Sequence, residues 1–217
     1  MAKIGVLLSG CGVNDGSEIH EAVITMLALD RAGAEIVCMA PNVDQLDVVN
    51  HLTGEATGEK RNVLVESARI ARGNIKDINQ VRLTDIDGLI IPGGFGAAKN
   101  LSNFAVKGKD AVVNEDVKNL LKDMVSLKKP IGAICIAPAT LTKALEGKNP
   151  EVTIGNDMNT AGTIESMGGQ HKDCSVEMIH VDNNNKIVST PAYMLGPSIK
   201  DVAIGIEKLV NKVLELA

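Results

Sequence analysis

Cys135 stands between two short runs whose chemistry differs from their surroundings. The run "PIGAI" before it is small and apolar, as in a buried strand, and "IAPATL" after it is typical of a helix. A cysteine between a strand and a helix predicts a nucleophile elbow. A helix N-terminus presents free N–H groups and partial positive charge, which lower a thiol pKa and favour the reactive thiolate. Cys135 is therefore a candidate nucleophile, and a small buried side chain is the alternative.

Two other segments could complete such a site. "PGGFGAAKN" follows a predicted strand, and the N–H groups of Gly94 and Ile136 could bind an oxyanion formed by attack of Cys135. In the loop "SGCGVNDGSE" and the helix after it, Glu18 and Glu21 are three residues apart and share a helix face. A carboxylate in a first helical turn usually caps the helix, whereas one that faces the cysteine would act as a general acid or base.

The elements that position these residues alternate between strand and helix. Buried strands are predicted in "KIGVLL", "AEIVCMAP", "DGLIIPGG" and "PIGAIC", and helices in residues 17–33, in 114–129 and from 198 onwards. Within the first helix, Ile19, Val23, Met26 and Leu27 recur at helical spacing. "MIHV" and "KIVST", joined by "DNNN", predict a hairpin. This order predicts a mostly parallel α/β sheet, in which sites form beyond the carboxyl ends of the strands.

The length and composition favour one domain. The 217 residues, of which 45% are apolar, suffice for one sizeable core, so we assign residues 1–217 to a single domain. Residues 41–87 are longer than a simple connection between strand and helix, and they contain a predicted helix in "RNVLVESARIARG". We interpret this segment as an insertion in the same domain.

The composition also argues against several classes of function. A net charge of -5 with 1% aromatic residues argues against nucleic-acid binding. No segment approaches the about 20 apolar residues of a membrane span, and no signal peptide is apparent, so we expect a cytoplasmic protein that does not bind membranes. Four dispersed cysteines predict free thiols and no metal site. Asp15 replaces the third glycine of a dinucleotide-binding motif, so no cofactor is expected.

The sequence resembles the PfpI-like, class I glutamine amidotransferase-like superfamily, and within it the ElbB branch of glyoxalases named for enhanced lycopene (isoprenoid) biosynthesis. The segments that carry the resemblance span the chain in order: "IGVLLSGCGVNDGSEIHEA", "VVNHLTGE", "IIPGGFGAAKNLSNFA", "CIAPA", "TIG" and "IVSTPAYM". The resemblance implies a flavodoxin-like sandwich with helices on both faces of the sheet, and a homodimer. It further implies that Cys135 is the nucleophile, that Glu21 rather than Glu18 contacts the sulfur, and that Gly93 and Gly94 form the oxyanion hole.

The chain departs from the superfamily at one position. Many members place a histidine, the third member of a catalytic triad, where this chain has Gly155, and the HxE motif of glutaminases is absent. Glutamine hydrolysis is therefore disfavoured. His20 and His51 are candidates to replace the histidine, although each is more simply a loop or supporting residue. His20, Lys99 and Asn100 are candidate contacts to a polar substrate.

The resemblance implies a cysteine-dependent, glutathione-independent glyoxalase-type enzyme that converts glyoxal, a small aldehyde, to glycolate, with a link to isoprenoid biosynthesis. The missing histidine predicts weak activity, and it also favours the alternative of a non-enzymatic redox-sensing or binding protein with an oxidisable cysteine. A hydrolase of a small amide or ester is a further alternative.

Overall fold

A computed structural model describes all 217 residues of the chain. The strands are β1 (Lys3–Leu7), β2 (Glu35–Ala40), β3 (Val49–Asn50), β4 (Glu55–Ala56), β5 (Lys76–Asp77), β6 (Gly88–Ile91), β7 (Ile131–Ile134), β8 (Glu151–Val152), β9 (Gln170–His171), β10 (His180–Asp182) and β11 (Ile187–Thr190). The α-helices are α1 (Ile19–Arg31), α2 (Val63–Ile70), α3 (Phe95–Lys99), α4 (Phe104–Lys107), α5 (Glu115–Ser126), α6 (Ala137–Ala144), α7 (Met158–Ser166) and α8 (Ile199–Leu216).

Seven strands form the central sheet in the order β10-β11-β7-β6-β1-β2-β5. Neighbouring strands are parallel except β10 and β11, which form the predicted hairpin. The strand order reverses between β1 and β6, so the loops after β1, β6 and β7 lie together at the carboxyl edge of the sheet. The architecture is the flavodoxin-like α/β fold that the sequence predicts.

Helices cover both faces of the sheet. One core lies between the sheet and α1, α2 and α8, and it includes Ile4 and Val6 of β1. The other lies between the sheet and α3, α5, α6 and α7, and it includes Leu7 of β1 and Leu89 of β6. Because both faces are covered, every residue of β6 and β7 is buried, which explains the uninterrupted apolar runs in their sequences.

Helix α1 buries a different face from the one that its apolar spacing suggests. Ile19, Val23 and Leu27 are 43%, 46% and 43% exposed. The buried side chains are mostly small: Glu21, Ala22, Thr25, Ala28 and Leu29. The buried face carries Glu21, which accepts a hydrogen bond from the Gly93 N–H, and the opposite side of the helix leaves an apolar stripe of Ile19, Val23 and Leu27 on the outside.

The segment 41–87 and the C-terminal helix α8 also pack against the sheet. In the segment, β3 and β4 form a small hairpin, α2 packs Val63 into a core, and β5 extends the sheet edge. Helix α8 buries Val202 and Ile206 in the same core, and at its start the Ser198 hydroxyl donates a hydrogen bond to the Asp201 carboxylate at 2.6 Å. No helix combines the length and apolar character required to cross a membrane.

Candidate active site

Cys135 occupies a sharp turn between β7 and α6. Its φ of +60° is a conformation that residues with side chains rarely adopt. The turn is held by a hydrogen bond from the Cys135 N–H to the Thr190 carbonyl oxygen at 3.0 Å, and α6 begins two residues later with Ile136 as its N-cap. A strained residue between a buried strand and a helix is a nucleophile elbow, as the sequence predicts.

Glu21 is the carboxyl group that contacts the Cys135 sulfur. The side chain is fully buried, and its two oxygens accept hydrogen bonds from the Gly93 N–H at 2.8 Å and the Tyr193 N–H at 3.3 Å. Glu18 has a different role, because its carboxylate caps α1 by accepting the Glu21 N–H at 2.7 Å. The two glutamates are therefore distinguished by position, in the way that the resemblance implies.

The pair formed by Cys135 and Glu21 holds its protons tightly. Burial, and then the charge of Glu18, raises the pKa of Glu21 from 4.5 to about 8. Burial and the neighbouring Glu21 raise the pKa of the Cys135 thiol, although hydrogen bonds from the Gly94 and Ile136 N–H groups lower it. Two adjacent buried acids cannot both ionise without a large cost. The lowered thiol pKa expected from the helix N-terminus is therefore wrong, because burial outweighs the helix.

Gly93 and Gly94, which follow β6, have different functions. The N–H groups of Gly94 and Ile136 are directed at the Cys135 sulfur. They could therefore bind the oxyanion of a substrate that the sulfur has attacked. The Gly93 N–H instead donates to Glu21, so the prediction that Gly93 belongs to the oxyanion hole is wrong. Gly93 has no room for a side chain, since a Cβ there would lie 2.4 Å from the Cys135 Cβ. It allows the carboxyl group and the thiol to approach each other.

A cavity of about 280 Å³ opens beside the sulfur. Its lining residues are Val13, Glu18, Gly94, Phe95, Cys135, Ile136, Thr160, Tyr193 and Met194. Most of the lining is apolar, and Glu18 is its one charged residue. No three His, Cys, Asp or Glu side chains lie close enough together to hold a metal ion, and all four cysteines are free thiols. The cavity suits a small substrate without a negative charge.

Tyr193 is the residue that the sequence interpretation missed. Its hydroxyl group lies 2.8 Å from the His20 Nδ1, and its ring lines the cavity with Cys135. His20 does not line the cavity itself, and it reaches the site through this phenol. The available signal was that Tyr193, within "IVSTPAYM", is the one tyrosine in the chain.

Two predicted substrate contacts lie elsewhere. The Lys99 ammonium group forms an ion pair with Asp47 at 2.8 Å. Asn100 is buried, and its amide nitrogen donates to the carbonyl oxygens of Ser9 and Asp15 at 2.8 Å. Neither residue lines the cavity, so both predictions are wrong. Lys99 and Asn100 instead hold neighbouring loops together.

No histidine replaces the missing triad member at its usual position. Gly155 has a φ of +98° and lies against Leu195. His51 accepts the Asn14 N–H at 3.2 Å and does not line the cavity. Of the two candidate histidines, only His20 is connected to the site, through the hydroxyl of Tyr193.

Substituting Gly155 by alanine should destabilise the fold by about 1–3 kcal/mol, because a Cβ at positive φ is strained and would lie 2.7 Å from the Leu195 Cγ. Gly162, within α7, provides the matched control, since a Cβ there meets nothing within 4 Å. Gly162→Ala should stabilise the fold by up to about 1 kcal/mol. Urea unfolding followed by circular dichroism measures both changes. Equal effects would contradict the strain at Gly155, which also bars a histidine there.

The stability of the protein should fall as the pH rises from about 5 to 8. The pKa of Glu21 is about 8 in the folded state and 4.5 ordinarily, so in this window the folded state binds the proton and the unfolded state has released it. The free energy of unfolding therefore decreases by up to about 1.4 kcal/mol per pH unit. Glu21→Gln should remove this slope in urea titrations at several pH values. An unchanged slope would show that Glu21 is ionised in the folded protein.

The chain is similar over most of its length to the proteins of one family. A model of the DJ-1/PfpI family matches residues 11–191. The "ES1 protein homolog, mitochondrial" of Rattus norvegicus is 46% identical over 99% of this chain and 84% of the rat protein. The Homo sapiens "Glutamine amidotransferase-like class 1 domain-containing protein 3, mitochondrial" is 47% identical over 99% of this chain and 83% of the human protein. Because these relatives are mitochondrial, the predicted cytoplasmic location is wrong; composition carries no signal that distinguishes the two compartments.

A solved structure matches over the whole chain. The Ehrlichia chaffeensis "isoprenoid biosynthesis protein with amidotransferase-like domain" is 44% identical, has a TM-score of 0.94, and covers 100% of this chain and 99% of its own. Drosophila melanogaster DJ-1beta, at 20% identity and a TM-score of 0.58 over 100% of this chain and 96% of its own, shares the fold. The fold is thus common to proteins of very different sequence.

Proposed function

We propose that this chain, which belongs to the DJ-1/PfpI family, is a cysteine-dependent, glutathione-independent glyoxalase-type enzyme that converts glyoxal to glycolate. The contact between the Cys135 sulfur and the Glu21 carboxyl group, beside an open cavity, carries the proposal. A thiol and a carboxyl group that share protons are the two groups needed to add sulfur to an aldehyde and then to move a hydrogen along the carbon chain.

The first step is addition of the Cys135 thiol to one aldehyde carbon. A C–S bond forms, the C–O π bond opens, and the oxygen binds the N–H groups of Gly94 and Ile136. The ionised fraction of Glu21, about a tenth of the molecules at pH 7 for a pKa of about 8, takes the thiol proton and passes it to this oxygen, which gives a neutral hemithioacetal. A pKa of about 8 allows Glu21 to accept and return a proton near neutral pH.

The second step moves hydrogen between the two carbons. Glu21 removes the C–H proton from the carbon bonded to sulfur, and the electron pair forms an enediol while the second carbonyl oxygen takes up a proton. Glu21 then returns its proton to the neighbouring carbon, and loss of a proton from the first hydroxyl gives a glycolyl thioester. Water hydrolyses the thioester to glycolate and restores the thiol, so the net reaction consumes glyoxal and one water.

The test is formation of glycolate from glyoxal in D₂O without glutathione. Proton transfer through Glu21 exchanges with solvent and should place one deuterium on carbon, whereas a direct hydride shift would place none; mass spectrometry of the glycolate distinguishes them. Turnover no greater than that of Cys135→Ala would refute the enzymatic proposal. Glycolate without deuterium, together with wild-type turnover in Glu21→Gln, would refute the route through Glu21.

The alternative of a redox sensor is less consistent with this site. Peroxide reacts with a thiolate, and the buried Cys135 has a raised thiol pKa. Addition to an aldehyde does not require a thiolate in advance, because Glu21 can take the proton as the C–S bond forms. The same contact that hinders oxidation therefore assists the proposed reaction.

The proposal includes the biological setting. We propose that the chain belongs to the ElbB branch and is linked to isoprenoid biosynthesis; the name of the Ehrlichia chaffeensis relative supports the second of these two proposals. The rat and human relatives support a mitochondrial location.

We also propose a homodimer, because the exposed stripe of Ile19, Val23 and Leu27 on α1 is apolar and regularly spaced. Val23→Glu should give a monomer in light scattering, while Val65→Glu, at an exposed position of α2, should leave the dimer intact.

A further inference from the structure

Two hydrogen bonds hold Tyr193 at the site. Its N–H donates to Glu21 at 3.3 Å, its hydroxyl group lies 2.8 Å from the His20 Nδ1, and the residue lines the cavity with Cys135. The preceding residue, Ala192, is fully buried at a φ of +44°, a strained conformation of the kind that clusters at functional sites. Both the backbone and the hydroxyl group of Tyr193 are therefore held in place.

The surroundings keep the phenol protonated and connected. Burial, then the charges of Glu18 and Glu21, raises the pKa of Tyr193 above its ordinary 10. The neutral hydroxyl can donate one hydrogen bond and accept another. His20 Nδ1 lies 3.9 Å from Glu18, so the contacts run from Glu18 through His20 to Tyr193 and into the cavity.

The proposed reaction leaves one proton transfer without a protein group. Glu21 moves the proton between the two carbons, but a second proton must reach one substrate oxygen and leave the other. Glu21 is occupied with the carbon proton at that moment, and no histidine stands at Gly155. Among the residues that line the cavity, Tyr193 is the one whose hydroxyl group is joined to an imidazole.

We propose that Tyr193 is a second catalytic residue, and this inference rests on the proposed function. Its hydroxyl gives a proton to the second carbonyl oxygen as Glu21 removes the C–H proton. It regains a proton from the first hydroxyl as the thioester forms, so the phenol ends unchanged. His20 is a positioning residue that holds the phenol. Glu21 therefore transfers protons at the carbon atoms, and Tyr193 transfers protons at the oxygen atoms. Tyr193 takes the place of the absent triad histidine.

The test is Tyr193→Phe, which keeps the ring packing and the backbone N–H to Glu21. We expect kcat on glyoxal to fall about 10–100-fold with KM nearly unchanged, since water can replace part of a general acid that typically contributes ~10²–10⁴-fold. The rate of Cys135 alkylation by iodoacetamide should stay at the wild-type value, because the thiol and Glu21 are untouched. His20→Ala should lower kcat in the same direction, and His20→Gln, which can still bind the phenol, should recover part of it.

The control is His180→Gln, which should keep the wild-type kcat. His180 pairs with Glu151 at 3.1 Å and does not line the cavity. A wild-type kcat in Tyr193→Phe would overturn the inference about Tyr193. The proposed function would still stand in that case if turnover depends on Cys135. A lower kcat together with slower alkylation of Cys135 would show a structural role and would also overturn it. Absence of Cys135-dependent turnover in the wild type would refute the proposed function itself, and the inference with it.

Discussion

Replacing Cys135 with alanine should reduce glyoxal turnover to the rate of the reaction without enzyme. All three intermediates of the proposed reaction, the hemithioacetal, the enediol and the thioester, contain a C–S bond, so loss of the sulfur removes all of them. Alanine occupies the same turn with little change in volume, and Glu21 keeps its hydrogen bonds from Gly93 and Tyr193. Quantification of glycolate by chromatography measures the loss, and thermal unfolding verifies that the variant folds.

Cys174→Ala is the matched control. Cys174 is a partly buried free thiol that does not line the cavity, so its loss should leave turnover unchanged. Equal activity of Cys135→Ala and the wild type would show that the elbow cysteine is not the nucleophile. A loss in both variants would indicate instability and not chemistry.

Glu21→Gln should lower turnover by about 10²–10⁴-fold, the usual contribution of a general acid or base. The amide has nearly the shape of the carboxyl group and can still accept one of the two backbone N–H bonds, but it cannot take up the thiol or carbon proton. The initial rate of glycolate formation measures the effect.

Glu18→Gln is the matched control, because its amide oxygen can still cap α1 through the Glu21 N–H. Its effect on turnover should be less than about tenfold, since Glu18 does not contact the sulfur. The opposite order of effects would mean that Glu18 is the proton-transfer group. Equal, small effects would mean that neither glutamate moves the proton.

Several features of the protein could be predicted from the sequence because they depend on neighbouring residues. The buried runs of β6 and β7 reflect a sheet that is covered on both faces, and this pattern is visible in a few consecutive residues. Cys135 could be assigned to an elbow because a strand and a helix are predicted on either side of it. The parallel sheet follows from the alternation of elements, and it brings the first turn of α1, which carries Glu21, to the same edge as the loops that carry Gly94 and Cys135.

The sequence by itself thus determined the fold class, the elbow and the segments from which the site is built. The tertiary structure decided the roles within it, because these depend on contacts between distant residues. Glu21 meets the N–H groups of Gly93, 72 residues away, and Tyr193, 172 residues away. The bond from Gly93 removes this N–H group from the oxyanion hole, and the face of α1 that carries Glu21 is buried, which leaves the apolar stripe exposed. Burial of the thiol and the carboxyl group, which no local pattern reports, raises both pKa values.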